Sequence, residues 1–353
     1  MHRGKSGSTI RFDSNEYYKR QVVMSELGRE GQERLSRSKV AVIGLGGLGS
    51  AATQYLALAG VGYLRLVDQD TVELDNLHRQ VLYSLEDLRF PKVESALRRV
   101  EETNPEIHVE PIPENVRKSN IDKILEGVDC VVDGLDNVYT RYLVNKVCVE
   151  KRIPYIYAAA IGIEGYLSVF SLPETPCLAC IFPNLNDSHL PTCETRGVLG
   201  ATTGVIGTME AMETIKLLTG IGNTLKNTLL ILDFYDVTIA KIVISKNPEC
   251  PVCGKGEKRN AIRAEQFVWL CGQKTVNVNP RKPLKLSVNE IHSRLRKRFE
   301  VLLKSSLVVV LKHKDAEVSL FKGGRTLIKN VESEQEALDI YESIAKHLKT
   351  EAD

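Results

Sequence analysis

Net charge is almost absent from this sequence. Its 47 Lys/Arg face 45 Asp/Glu, a formal +2, so no global field draws it to nucleic acid. No apolar segment of the secretory kind heads it; it opens MHRGKSGSTIRFDSNE, which is polar. An unbroken apolar span is missing too. The longest uncharged stretch, residues 40–64, is interrupted by glycines and by Ser50, Thr53 and Gln54, and reads as strand, loop and helix rather than a membrane crossing. There are no internal repeats or low-complexity tracts. A cytoplasmic globular protein is expected, with no membrane partner and no nucleic-acid partner.

What is present is a sustained alternation. Apolar, β-branched runs at 39–44 (KVAVIG), 63–68 (YLRLVD), 106–113, 130–133 and 155–160 read as strands. Residues 50–59, 92–104, 120–127 and 140–151 carry helical spacing between them, after a helical arm at 17–34. That order predicts an α/β fold class, a doubly wound, mostly parallel Rossmann-like sheet. After Gly162 the pattern turns to hairpin-like runs (165–170, 229–236, 238–245) around a helix at 204–218 closed by Gly220. Further on come a strand near Thr275, a helix at 287–298, strands at 300–313 and 317–330, a turn at 321–325 (FKGGR) and a helix at 334–348. The expected division is a flexible N-terminus at 1–16, a main domain at 17–254, a polar linker at 255–263 and a small α+β domain at 264–353.

The run Gly44-Leu-Gly46-Gly47-Leu-Gly49 follows a strand and opens a helix. Glycines there let the backbone turn tightly and approach a phosphate, whose charge is met by helix N-terminal N–H groups. Asp68, nineteen residues beyond Gly49 and at the end of the second strand, has the offset of an acid that binds a ribose. A nucleotide site follows, and on this motif alone a nicotinamide dehydrogenase remains open. Arg79 and Lys92 come next, two cations suited to a triphosphate whose charge builds as pyrophosphate leaves. Asp136 and Asn137 sit just past the fourth strand, where ligands bind such sheets, and the Asp136 carboxylate suits Mg²⁺. Either residue is also an ordinary loop cap.

Eight cysteines include two C-x-x-C pairs, Cys177/Cys180 and Cys250/Cys253. In a long chain without a secretory head that favours metal over disulfides. Four thiolates close a tetrahedral Zn²⁺ shell with no open position, which makes the metal structural; two separate redox pairs are the alternative. Cys193 lies in a polar loop before the 204–218 helix, where a lowered pKa makes a nucleophile, unless it is a non-essential thiol. Cys130 and Cys148 fall on apolar positions and read as core.

The segments YYKRQ (17–21), GLGGLGS (44–50), VDQDTVELDNLHRQ (67–80), PKVE (91–94) and GLDNVYTRYLVN (134–145), together with the cysteine pairs, resemble the ThiF/MoeB/HesA family. These adenylate sulfur-carrier proteins of thiamine and molybdopterin synthesis and are related to ubiquitin-activating enzymes. The resemblance spans roughly residues 17–254. It implies that Gly47 lies against the phosphates and Asp68 holds the ribose. It also implies that Asn76, Arg79 and Lys92 grip the nucleotide, and that Asp136 coordinates Mg²⁺ with Asn137 beside it. Arg20 is similar to an arginine that reaches the partner subunit's site, implying a homodimer. Cys193 is similar to a cysteine that forms a thioester or persulfide with the activated carrier. Tyr17 and Lys146 depart from the usual family residues.

The implied activity is ATP-dependent adenylation of the C-terminal carboxylate of a ubiquitin-like or sulfur-carrier protein ending Gly-Gly, with a sulfur donor acting later. A tRNA-modifying dehydratase and a non-catalytic scaffold are the alternatives. No cysteine follows Cys271, which excludes the rhodanese activity found at this end of some relatives. From Lys258 onward nineteen Lys/Arg stand against twelve Asp/Glu, a +7 that leaves −5 for the rest; the basic excess suggests carrier docking. An unchanged KM for the carrier after deletion of residues 264–353 overturns that expectation.

Overall fold

The computed structural model describes residues 11–187, 195–256, 266–270, 274–280 and 282–348. Helices α1 (Ser14–Tyr17), α2 (Lys19–Val22) and α3 (Gly28–Arg37) lead into β1 (Lys39–Ile43), α4 (Gly47–Ala59) and β2 (Tyr63–Val67). Then come α5 (Lys92–Thr103), β3 (His108–Ile112), α6 (Ile121–Ile124), β4 (Cys130–Asp133), α7 (Val138–Lys151), β5 (Tyr155–Ile161) and β6 (Glu164–Phe170). The first half closes with α8 (Leu178–Ile181), α9 (Gly200–Thr219), β7 (Thr228–Asp233) and β8 (Thr238–Val243). The remainder holds β9 (Phe267–Trp269), β10 (Thr275–Val278), α10 (Val288–Leu295), β11 (Glu300–Lys304), β12 (Val308–His313), β13 (Ala316–Phe321), β14 (Thr326–Lys329) and α11 (Glu334–Ala345).

Eight strands form one sheet in the order β3-β2-β1-β4-β5-β6-β7-β8. The first five run parallel and the last three antiparallel. Alternation along β1 shows why it sits centrally. Val40 and Val42 enter the core under α4, α5 and α9, while Ala41 and Ile43 enter the opposite core with α6 and α7. The other edge is different: every residue of β8 is exposed, and Tyr235, Val237, Ile239 and Val243 put large apolar groups into solvent there. The second sheet, β11-β12-β13-β14-β10-β9, packs α10 and α11 on one face around Ile291, Ile328 and Ile340.

The sequence reading holds for the main sheet and needs correction in detail. The arm is three short helices rather than one: it breaks at Tyr18 and again after Val23, and Gly28, with φ +61, opens the third. The 120–127 helix is a single turn, Ile121–Ile124. The 300–313 strand is two, broken at Ser305–Ser306, while the expected turn at 321–325 is present, with Gly323 and Gly324 at positive φ, and divides the 317–330 run into β13 and β14. β9, three residues long, carries too little pattern to be read.

Glu210 of α9 is fully buried, and neither carboxylate oxygen finds a hydrogen-bond partner. Burial pushes its pKa well above the ordinary carboxylate range, and the nearby Asp133 adds to the effect. A raised folded-state pKa means stability is greatest below the unfolded value and declines as pH rises through the folded one. Glu210→Gln is therefore expected to stabilise the protein by ~1–2 kcal/mol near neutrality. The gain should widen between about pH 5 and about pH 8, as read by chemical denaturation at both ends.

Candidate nucleotide site and cysteine cluster

The carboxyl ends of β1, β2 and β4 open on a cleft of ≈ 580 Å³, within the range of small-ligand sites. It lies where the strand order reverses, from β1 outward to β3 and then back to β4, as expected of an open α/β sheet. The glycine loop forms its floor. Gly44 has φ +89, and a Cβ there would meet the Gly134 carbonyl oxygen at 2.5 Å; one on Gly49 would lie 1.9 Å from the Gly44 oxygen. A Cβ on Gly47 would press on Thr203 at 2.8 Å, whereas Gly46 has no neighbour nearer than 4.0 Å. Packing demands the first three glycines, and the bare backbone of Gly46 is left to the cleft. α4 then starts at Gly47 without a side-chain cap, so its first N–H groups mark an anion site.

Asp68 ties the second strand to this loop. Its Oδ2 accepts from the Leu45 N–H at 2.7 Å and its Oδ1 from the Asp70 N–H at 2.7 Å. Burial pushes its carboxyl up to about 6, against the opposing pull of Lys92. Lys92, the first residue of α5, is buried and donates to Asp70 Oδ2 at 3.2 Å. Burial disfavours its charge, yet Asp70 and Asp68 more than offset that and hold its pKa above the ordinary lysine range. An ammonium kept charged under a phosphate loop suits a triphosphate.

The other expected residues divide by distance from this floor. Arg79 borders the cleft and donates to the Asp75 carbonyl at 2.7 Å. Asn76 also borders it, but its side chain is engaged in a turn, giving to Asp75 Oδ1 at 3.0 Å and accepting from the Glu73 N–H at 3.2 Å. Asp136 is exposed and also lines the cleft, while Asn137 caps α7 through the Thr140 N–H at 2.9 Å. Arg20 is exposed on α2 and does not line the cleft of its own chain. Tyr17 anchors the arm to α5 by donating to the Thr103 carbonyl at 3.1 Å, and Lys146 pairs with Glu150 on the surface. Cys193 lies outside the described residues, as does Cys271.

Sequence reasoning passed over Arg141. Fully buried Asp133 takes its Nε at 3.1 Å and a short hydrogen bond from Tyr155, while Arg141 Nη2 reaches the Leu135 and Ala158 carbonyls at 2.6 and 2.8 Å. The pair fixes the turn that presents Asp136. Its signal was the arginine inside the DNVYTRYLVN segment, which spacing alone does not distinguish from a surface charge. Gln69, Asp70 and Gln80 border the cleft, and their Oε1, Oδ1 and Oε1 atoms are buried without a hydrogen-bond partner.

Behind the cleft, Cys177, Cys180, Cys250 and Cys253 bring their sulfurs within 4.8 Å of one another. Cys177 lies 3.9 Å from Cys180 and 3.7 Å from Cys250, and Cys180 lies 3.3 Å from Cys253. A tetrahedral thiolate shell with ~2.3 Å bonds requires sulfurs about 3.8 Å apart, so the set fits one cation. Cys130 and Cys148 are buried in the two cores of the main sheet.

The ThiF family profile matches residues 18–252. The chain belongs to the ThiF family. The SAMP-activating enzyme E1 of Haloferax volcanii is 45% identical over 240 residues, covering 68% of this chain and 88% of that protein. The sulfur carrier protein adenylyltransferase of Thermus thermophilus is 40% identical over 260 residues, covering 72% and 96%. Among solved structures, that of E. coli MccB with MccA-N7isoASN superposes with a TM-score of 0.62 at 25% identity, over 69% of this chain and 76% of the other. This ThiF-family protein is an adenylyltransferase.

Removing the Arg141 side chain leaves Asp133 buried without its counter-ion. Arg141→Ala is expected to cost about 3–5 kcal/mol of stability; a loss below about 1 kcal/mol in equilibrium denaturation would contradict a buried, fully engaged pair.

Proposed function

We propose that this adenylyltransferase uses ATP to activate the C-terminal carboxylate of a small ubiquitin-like or sulfur-carrier protein ending Gly-Gly. The observation that supports the reading is that Lys92, Arg79 and Asp136 all line the one cleft where Gly46 leaves the backbone bare. The names of the Haloferax and Thermus relatives support the carrier class. A carboxylate oxygen of the carrier attacks the α-phosphorus; that O–P bond forms as the bond to the bridging oxygen breaks, and pyrophosphate leaves with the electron pair. No general base is needed, because the attacking carboxylate is already anionic. Lys92 and Arg79 meet the charge that gathers on the departing group. Asp136 would hold Mg²⁺, which supplies further neutralisation of the phosphates.

The remaining assignments follow from the same reading. The four cysteines hold a structural Zn²⁺, stapling the segment after β6 to the one after β8. Arg20, exposed on its own subunit, serves the cleft of a second copy in a homodimer. Sulfur of a donor or of Cys193 then attacks the acyl carbon of the adenylate, and the C–S bond forms as the bond to the phosphate oxygen breaks and AMP leaves. A cytoplasmic location is part of this reading.

ATP–pyrophosphate exchange tests it. With a candidate carrier, exchange is expected to require the intact terminal Gly-Gly and to fall at least ~100-fold in Asp136→Ala. Exchange without any carrier, or none with every carrier offered, overturns the assignment. Purified protein is also expected to carry about one zinc per chain, lost together with thermal stability in Cys180→Ser. Metal analysis of both proteins checks this.

A further inference from the structure

The second sheet meets the main sheet at one end of the nucleotide cleft, through a bracket of polar contacts. Arg325, buried at the foot of β14, donates from Nη2 to the Gln69 carbonyl at 2.8 Å and from Nε to the Pro113 carbonyl at 2.9 Å. Its Nη1 binds Asn277 Oδ1 of β10 at 2.6 Å, and the Phe321 ring lies 3.7 Å from the guanidinium carbon. Lys329 donates to Thr71 Oγ1 at 2.7 Å, Arg89 Nε meets Glu317 at 2.8 Å, and Ser305 and Ser306 both bind Glu94. Leu307 packs into the core of the main sheet. A bracket with a buried, multiply bonded arginine fixes an orientation.

That orientation brings β9 to the cleft: Val268, Trp269 and Leu270 line it together with Val116. Their position along the nucleotide follows from strand order. Phosphates belong at the glycine loop after β1, and the ribose at Asp68 after β2. Continuing outward, the base falls toward the end of β3, where Pro113 and Val116 stand and β9 closes in. The opposite end, lined by Tyr157, Phe182 and Arg196, is left for the carboxylate substrate. β9 is braced from behind, with Phe267 and Trp269 on the core of the second sheet and Leu270 against Val310 and Phe321. Val116, Val268 and Leu270 together offer the apolar surface a purine face needs.

We infer that β9 of the second sheet is the wall against which the base of ATP packs, so that nucleotide affinity depends on the C-terminal domain. The inference rests on the adenylation reading for its ligand. It makes Val268, Trp269 and Leu270 binding residues and Arg325 a positioning residue, distant from the reacting phosphorus.

Trp269 is the sole tryptophan of the chain, so intrinsic emission of the full-length protein reports this wall. The protein is titrated with Mg·ATP, with adenosine and with tripolyphosphate. ATP and adenosine are both expected to change the emission saturably, while tripolyphosphate displaces ATP and leaves the emission unaltered. Val268→Asp is expected to raise the Kd of ATP and of adenosine about tenfold without moving that of tripolyphosphate, which also certifies the fold. Should that variant fail to fold, Val268→Thr keeps the shape and is expected to give about a threefold rise. ATP binding with a silent tryptophan and native Kd values in the variants, while exchange proceeds, overturns the wall and spares adenylation. An emission response to both ATP and adenosine without exchange on any carrier overturns the carrier reading and supports the wall. No binding of ATP or adenosine overturns both.

Discussion

At the floor of the cleft, backbone from three parts of the chain meets with no side chain between. A Cβ on Gly134 would lie 2.2 Å from the Gly44 oxygen and 2.9 Å from the Gly49 Cα. This contact holds the end of β1, the start of α4 and the turn after β4 at van der Waals distance. Any larger residue would push the strands apart or displace the helix. Asp68, Lys92, Asp136 and the Asp133–Arg141 pair all take their places relative to it. The chemistry of the site is charged, but its geometry depends on a neutral close approach of main chain.

Much of this was legible in advance because glycine spacing, strand endings and cysteine pairs each have a direct physical meaning. GLGGLG after KVAVIG leaves few alternatives, and an acid ending the next strand points to the same cleft. The two cysteine pairs stand 73 residues apart between Cys177 and Cys250, and their shared chemistry foretold that they would meet. Asn76 and Asn137 were harder. An asparagine beside a ligand and one capping a turn are identical in sequence, and here both side chains are engaged by backbone or by neighbours.

What remained hidden depends on tertiary contact. Arg141 and Asp133 are eight residues apart, a spacing with no local signature. Glu210 sits in a helix whose mixed small residues conceal that one carboxylate points inward. β9 escaped notice because three residues have no measurable period, and Arg325 because its partners belong to another part of the chain. Net charge suggested a role for the C-terminal segment, but it gave no sign that Arg325, one of several arginines there, binds the main-chain carbonyls of Gln69 and Pro113.

That arginine has a consequence for the order in which the protein is made. Gln69 and Arg325 are 256 residues apart, so a chain growing from its N-terminus displays the glycine loop long before the strand that faces it exists. Contacts of such separation form late, after the long loop between them has been closed. A nascent chain that has not reached residue 267 therefore lacks the strand lining that end of the cleft. Translation to the end of the second sheet is what completes it.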